Sequence, residues 1–303
     1  MADVIKKIIS GNDIKNGSCV TVDNMGNTSA TTPTLNSTTT VSRIESSLTN
    51  RFDDPDYYGS QFSLSDYSGL AMWCKSDSLK VDHGDGDVVS TWTDSSGNSL
   101  DLTQGTTSKK PVFKESVFKN RAALLFDGAD DVLSCDSSDY ASLTNYSLLL
   151  VFKIESTSGG GTFMGLGDQV AIFPRIKAFQ LDASSPRNIG TISKNDAGAN
   201  VNILFGTDSE ADKVYIGIII NDSGTSFKQY INGAENVTSA TSYDFNSYAD
   251  INRLAIGASH SLNGGTTSNV YIAEVAVFDR VLTDVERNNI ESKYSRKYGA
   301  AVV

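Results

Sequence analysis

With 303 residues, 39% of them hydrophobic and 20% charged, the chain carries enough apolar material for a sizeable core. Its 25 glycines against 5 prolines, with abundant Ser, Thr, Asn and Asp, suit many strands joined by turns. A net charge of −11 excludes nucleic acid and anionic membranes as main partners; three cysteines, Cys19, Cys74 and Cys135, cannot make an all-paired disulfide framework, and their spacing offers no Cys-x-x-Cys site.

Residues 1–60 differ from the rest. Val4, Ile5, Ile8 and Ile9 can form a short strand, followed by turn pairs at Gly11-Asn12 and Asn16-Gly17. Residues 3–9 are too short and too charged for the apolar segment of a secretion signal, so synthesis in a reducing compartment is expected. From Thr28 to Thr40 the chain is almost all small and polar, with too little apolar surface to fold alone. Val41, Ile44 and Leu48 then recur at helical spacing over two turns, a helix that needs a partner. We read residues 1–60 as an extended N-terminal attachment arm. Val4, Ile5, Ile8, Ile9, Val41, Ile44 and Leu48 are the candidates for anchoring and oligomerisation, and the last three are too few to fix an oligomer number.

From Leu70 onward the pattern is β. Candidate strands are 70–74, 88–93, 122–126, 147–154, 214–220, 227–231, 253–256 and 270–278, separated by Gly/Asn/Asp/Ser turns. Asn232-Gly233 marks a hairpin. Tyr271, Ala273, Val275 and Val277 alternate as one apolar face of a strand. Val214 to Ile220, the longest apolar run, is strand-sized and cannot span a membrane. One helix is expected over 284–298: Thr283-Asp-Val-Glu286 is a capping box, Ile290, Tyr294 and Tyr298 share a stripe, and Gly299 can cap the C-terminus.

Four segments carry a family pattern. They are Gly69-Leu-Ala-Met-Trp73, Val89-Ser-Thr-Trp92-Thr-Asp94-Ser-Ser-Gly97-Asn98, Ala123-Leu-Leu-Phe-Asp127-Gly128-Ala-Asp130-Asp131, and the run from Ile272 through Arg280 and Leu282 to Arg287. In order and spacing the set resembles the concanavalin A-like, laminin-G-like domains of bacterial surface proteins and tailed-phage virion proteins. The resemblance implies an all-β fold over residues 61–303, a concanavalin A-like jelly-roll β-sandwich with one C-terminal helix. It does not reach the arm, and an arm ahead of one such domain looks like a phage structural protein.

The expected function is therefore a non-enzymatic virion surface protein, capsid decoration or head fibre, whose lectin-like domain can adhere to host glycans. Its expected partners are a major capsid or tail protein, met through the arm, and copies of itself, with a trimer suiting a spike. Assembly in the host cytoplasm and display on the virion surface follow. The alternatives are a tail fibre or tail adaptor and a bacterial calcium-dependent glycan-binding module.

No catalytic residue is assigned. The eight glutamates never fall two to a strand, as glycoside hydrolysis in related folds requires, and His83 and His260 make no triad by spacing. No cofactor is required. Two bunches of carboxylates, Asp82, Asp85 and Asp87 and then Asp127, Asp130 and Asp131, offer hard oxygens for a structural Ca²⁺; aspartate as a turn former is the competing reading and takes precedence. The family often carries an acidic residue where this chain has Ala273. Trp73 and Trp92 read as core, which leaves Tyr57, Tyr58, Tyr67, Tyr243 and Tyr248 as the aromatics for a sugar.

Overall fold

The runs 147–154 and 214–220 hold almost no polar residue, which a strand buried on both faces requires. A computed structural model describes residues 19–22, 28–31, 63–156, 160–167, 176–182, 187–194, 200–241, 252–258 and 269–302. The chain divides into two compact units, Met1–Tyr57 and Tyr58–Val303. Within the first, β1 (Cys19–Val22) pairs antiparallel with β2 (Thr28–Thr31), Val20 standing opposite Ala30. Thr28–Thr31, the described part of the polar stretch from Thr28 to Thr40, thus pairs with a neighbouring strand and does not stand alone; its two β-branched threonines suit a pleated ladder. Val4, Ile5, Ile8, Ile9, Val41, Ile44 and Leu48 lie outside the described residues.

The second unit begins with β3 (Leu70–Lys75), β4 (Thr91–Trp92), β5 (Leu102–Thr103), β6 (Val112–Phe118), β7 (Arg121–Asp127) and β8 (Leu133–Asp136). It continues with β9 (Tyr146–Ile154), β10 (Gly161–Gly167), β11 (Ile176–Leu181), β12 (Asn188–Lys194), β13 (Asn200–Asp208) and β14 (Val214–Asp222). The last elements are β15 (Ser226–Ile231), β16 (Ala234–Ser239), β17 (Arg253–Ile256), β18 (Asn269–Phe278) and helix α1 (Asp284–Tyr298). One eight-stranded sheet runs β13-β12-β11-β10-β17-β8-β5-β4; the other runs β16-β15-β14-β9-β18-β7-β6, with β3 also paired to β18. The pairings between these strands are antiparallel.

Two cores result. Trp92, Phe126, Leu150, Phe152, Phe179, Tyr215 and Val275 fill the space between the sheets. Val151, Ile216, Ala276 and Phe278 lie on the outer face of the second sheet and pack with Ile290, Tyr294 and Tyr298 of α1. Strands β9 and β14 are therefore covered on both sides, which explains their unbroken apolar text. The helix has the expected bounds, its capping box is formed, and Gly299 caps it at φ 82°. Arg280 grips Glu286 through two nitrogens at 2.7 and 2.9 Å and donates to the Ser68 carbonyl, pinning the helix start.

Sequence alternation predicted that Tyr271, Ala273, Val275 and Val277 share one face. They do not. Opposite β9 the pairing slips between Ile272 and Glu274, so one extra residue enters β18. Tyr271 and Ala273 point outward with Glu274, Ala276 and Phe278, whereas Val275 and Val277 point between the sheets. The bulge thereby aims Glu274 at the helix. Fully buried, its carboxylate accepts from Trp73 Nε1 at 2.8 Å and Tyr294 OH at 2.5 Å, and also from Lys297 Nζ and Tyr298 OH. Burial raises this carboxyl's pKa, but the Lys297 charge and the hydrogen bonds outweigh burial and hold it below the ordinary value.

The 161–208 stretch was not anticipated as strands. It is rich in Gly, Asn, Ser and Thr, and Gly190 shows why: a Cβ there would stand 2.0 Å from the Leu204 carbonyl oxygen on β13. Close approach, not β propensity, selects that residue. The 88–93 stretch is shorter than expected, with strand pairing only at Thr91–Trp92 and a bridge at Val88.

Glu274→Gln should cost about 3 kcal/mol, because it leaves a buried donor set without its charge. Guanidinium unfolding followed by tryptophan fluorescence measures this, and a loss under about 1 kcal/mol would show that the carboxylate's charge is dispensable. The depressed carboxyl adds stability above its unfolded pKa that is lost as pH falls through the folded value. The variant should show a shallower acid limb.

Candidate functional site

The turn between β7 and β8 gathers charge. Asp127 ends β7, and its carboxylate Oδ1 accepts the Ala129 N–H at 2.8 Å, an Asx turn that curls the chain back. Gly128 has φ 78°, and a Cβ there would meet the Asn269 backbone nitrogen at 2.9 Å. The Asp127 N–H in turn donates to Asp131 Oδ2 at 3.0 Å. The three carboxylates of Asp127, Asp130 and Asp131 consequently offer oxygens that all lie within 4.8 Å of one another.

Among the described residues no lysine or arginine forms an ion pair with this trio. Asp131 is only 5% exposed. Burial first, then the Asp127 and Asp130 charges, push its pKa from 3.8 up to about 7, against the lowering by the Asp127 N–H. Beside Gly128 stands Asn269, whose buried side-chain oxygen has no hydrogen-bond partner. Three hard carboxylate donors, with no ion-paired lysine or arginine among the described residues, fit a Ca²⁺ ion.

The other predicted residues are arranged differently. Asp82, Asp85 and Asp87 are exposed and form no metal-holding group among the described residues. Asp85 accepts the Glu115 N–H at 3.0 Å on the side of β6 away from β7, with Lys114 Nζ at 3.8 Å. Asp87 accepts the Gly84 N–H at 2.8 Å, and the Asp82 N–H closes the turn from Leu79. The Asp85 and Asp87 carboxylates thus serve backbone amides. Tyr67 caps the 3-10 turn Leu64–Asp66 and packs against the outer core. Tyr57, Tyr58, Tyr243, Tyr248 and His260 lie outside the described residues.

Trp73 and Trp92, 6% and 0% exposed, are core. The Trp92–Asn98 motif is structural as well. Asp94 accepts N–H bonds from Trp73, Ser96 and Leu100 and the Ser96 hydroxyl, while Asn98 donates to the Leu70 and Ala71 carbonyls. Burial raises the Asp94 pKa, yet these bonds bring it below the ordinary value. Asn269 was missed, because only the pairing of β18 with β7, Asn269 opposite Asp127, brings it to the turn.

A sequence model of the concanavalin A-like lectin/glucanases superfamily matches residues 127–286, beginning at Asp127 itself. No curated protein matches the chain. Among solved structures, a Trypanosoma rangeli sialidase in complex with sialic acid is similar at TM-score 0.53 and 15% identity, over 82% of this chain and 38% of that one. A botulinum neurotoxin serotype D binding domain is similar at TM-score 0.51 and 12% identity, over 74% of this chain and 51% of that one. The chain spans about two fifths to one half of their lengths, and at these identities the likeness is one of fold.

A raised carboxyl favours the folded state most at low pH, and that contribution is lost as pH rises from the ordinary 3.8 towards about 7. Asp131→Asn should flatten this slope in cation-free buffer, since the amide oxygen still accepts the Asp127 N–H. Melting curves collected between pH 4 and 8 test it; parallel profiles for variant and parent would refute the assignment.

Proposed function

The chain belongs to the concanavalin A-like lectin/glucanases superfamily, and on that premise we propose that it is a non-enzymatic glycan-adhesion protein of a phage particle. Residues 1–60 hold it, as capsid decoration or head fibre, to a major capsid or tail protein and to copies of itself. The sandwich faces outward. Host-cytoplasm assembly and virion-surface display complete the reading.

The observation that carries the adhesion reading is the convergence of Asp127, Asp130 and Asp131 without a cationic partner among the described residues. These side chains would hold a structural Ca²⁺, which when bound offers coordination positions to sugar hydroxyls. Three glutamates of the closing region are engaged by the fold, which favours binding over hydrolysis. Glu274 is enclosed by four donors, Glu286 is clamped by Arg280 and held down to about 2, and Glu291 is paired with Arg287 at 2.6 Å. The Asp131 carboxyl, raised to about 7 by burial, lies against a backbone amide and presents no acid to a bond outside.

Millimolar Ca²⁺ should stabilise the protein by about 2.7 kcal/mol if it reaches a hundredfold excess over Kd, and Asp130→Asn should abolish that shift. Glycan-array binding with and without a chelator reads out the same site; a Ca²⁺-independent signal or none would count against it. Separately, removing residues 1–50 should leave a folded, soluble domain that no longer enters particles. Undiminished incorporation would dispose of the attachment role.

A further inference from the structure

Helix α1 covers only part of the outer face of its sheet. Where the helix does not reach, directly paired residues form a row across five strands: Val112 on β6, Leu125 on β7, Tyr271 on β18, Lys153 on β9 and Val214 on β14. All five are partly exposed, although two-residue neighbours Ala123, Val151, Ala273 and Ile216 on the same face are buried. Successive strands lie about 4.8 Å apart, so the row is about 19 Å long.

Its chemistry is mixed in a specific way. Tyr271 is held in place from two sides: its hydroxyl is hydrogen-bonded to Glu155, and Lys153 Nζ stands 4.9 Å from the ring centroid. Lys153 also contacts Asp212 at 3.2 Å. Further pairs flank the row, Lys213 with Glu210 and Lys114 with Asp85. Three cations thus stand against the four acids Glu155, Asp212, Glu210 and Asp85, a nearly neutral patch on a protein of net charge −11.

From this geometry we propose that the row is a second glycan-binding surface, a platform for a linear neutral oligosaccharide lying across the strands. A fixed aromatic ring with apolar neighbours takes the apolar face of a pyranose, and the flanking carboxylates and ammonium groups bond its hydroxyls. Local charge balance gives no attraction to an ionic ligand. Five side chains are also far fewer than the 20–30 residues that each partner of a stable protein interface contributes, so a second copy of the chain is the poorer occupant. The proposal rests on the glycan-adhesion reading but not on the acidic turn, because it needs no cation.

The test titrates the full chain with cellohexaose, maltohexaose, mannohexaose and chitohexaose in EDTA. At least one should bind, more tightly than its disaccharide, and Tyr271→Ala should weaken it about tenfold. Tyr271→Phe should largely retain binding, since the ring remains, and unchanged melting temperatures confirm that both variants fold. Asp130→Asn should bind like the parent. If binding disappears in EDTA and in Asp130→Asn yet survives Tyr271→Ala, the platform is wrong while the adhesion reading stands. Absence of binding to any saccharide with or without Ca²⁺ overturns both. Self-association in sedimentation that Tyr271→Ala abolishes, without saccharide binding, identifies the row as an interface instead.

Discussion

A carboxylate with no access to water must be satisfied by the protein, and Glu274 meets that demand with groups from two distant parts of the chain. Trp73 reaches it from β3, the strand at the start of the sandwich. Tyr294, Lys297 and Tyr298 reach it from α1, at the end. Such a group is costly to bury and more costly to leave half-paired, so its partners are bound to one relative placement. The first and last elements of the domain are in this way fixed to the central strand β18. The rest follows from that placement: the helix lies on one part of the outer face, the sheet beneath it becomes two-sided, and the far part of the face stays open.

The bulge in β18 makes the arrangement possible. Without the extra residue, simple alternation could not place Ala273 and Glu274 on the same side. It also separates the strand into two functions. Beyond the bulge the outward residues Ala276 and Phe278 pack under the helix. Before it, Tyr271 points outward into the partly exposed row beyond the helix, and Asn269 begins the strand beside the acidic turn. A single strand therefore carries the structural knot, the open aromatic row and one edge of the carboxylate cluster.

The charge of the molecule is unevenly used. Several family-pattern acids are structural: Asp94 ties a loop to β3 through backbone amides, and Glu286 with Arg280 pins the helix start. Asp85 and Asp87 are consumed by an edge and a turn. Only at Asp127, Asp130 and Asp131 do carboxylates converge without a lysine or arginine among the described residues. The distinction is not one of composition, since both Asp-rich loops look alike in the chain.

The amino-acid sequence by itself determined the β-sandwich with its closing helix, because capping chemistry, the 3.6-residue stripe of Ile290, Tyr294 and Tyr298, and the apolar runs of β9 and β14 are local signals. It also determined that Trp73 and Trp92 are core. It could not reveal β10 to β13, whose glycines answer to the approach of a neighbouring strand. Nor could it separate one Asp-rich loop from the other, or find the five-strand row. Those depend on pairings between residues distant in the chain, and a strand's register is set by the sheet it joins. The bulge at Ile272–Glu274 is the plainest case: one inserted residue, invisible in local alternation, decided which side chains met the helix and which stayed partly exposed.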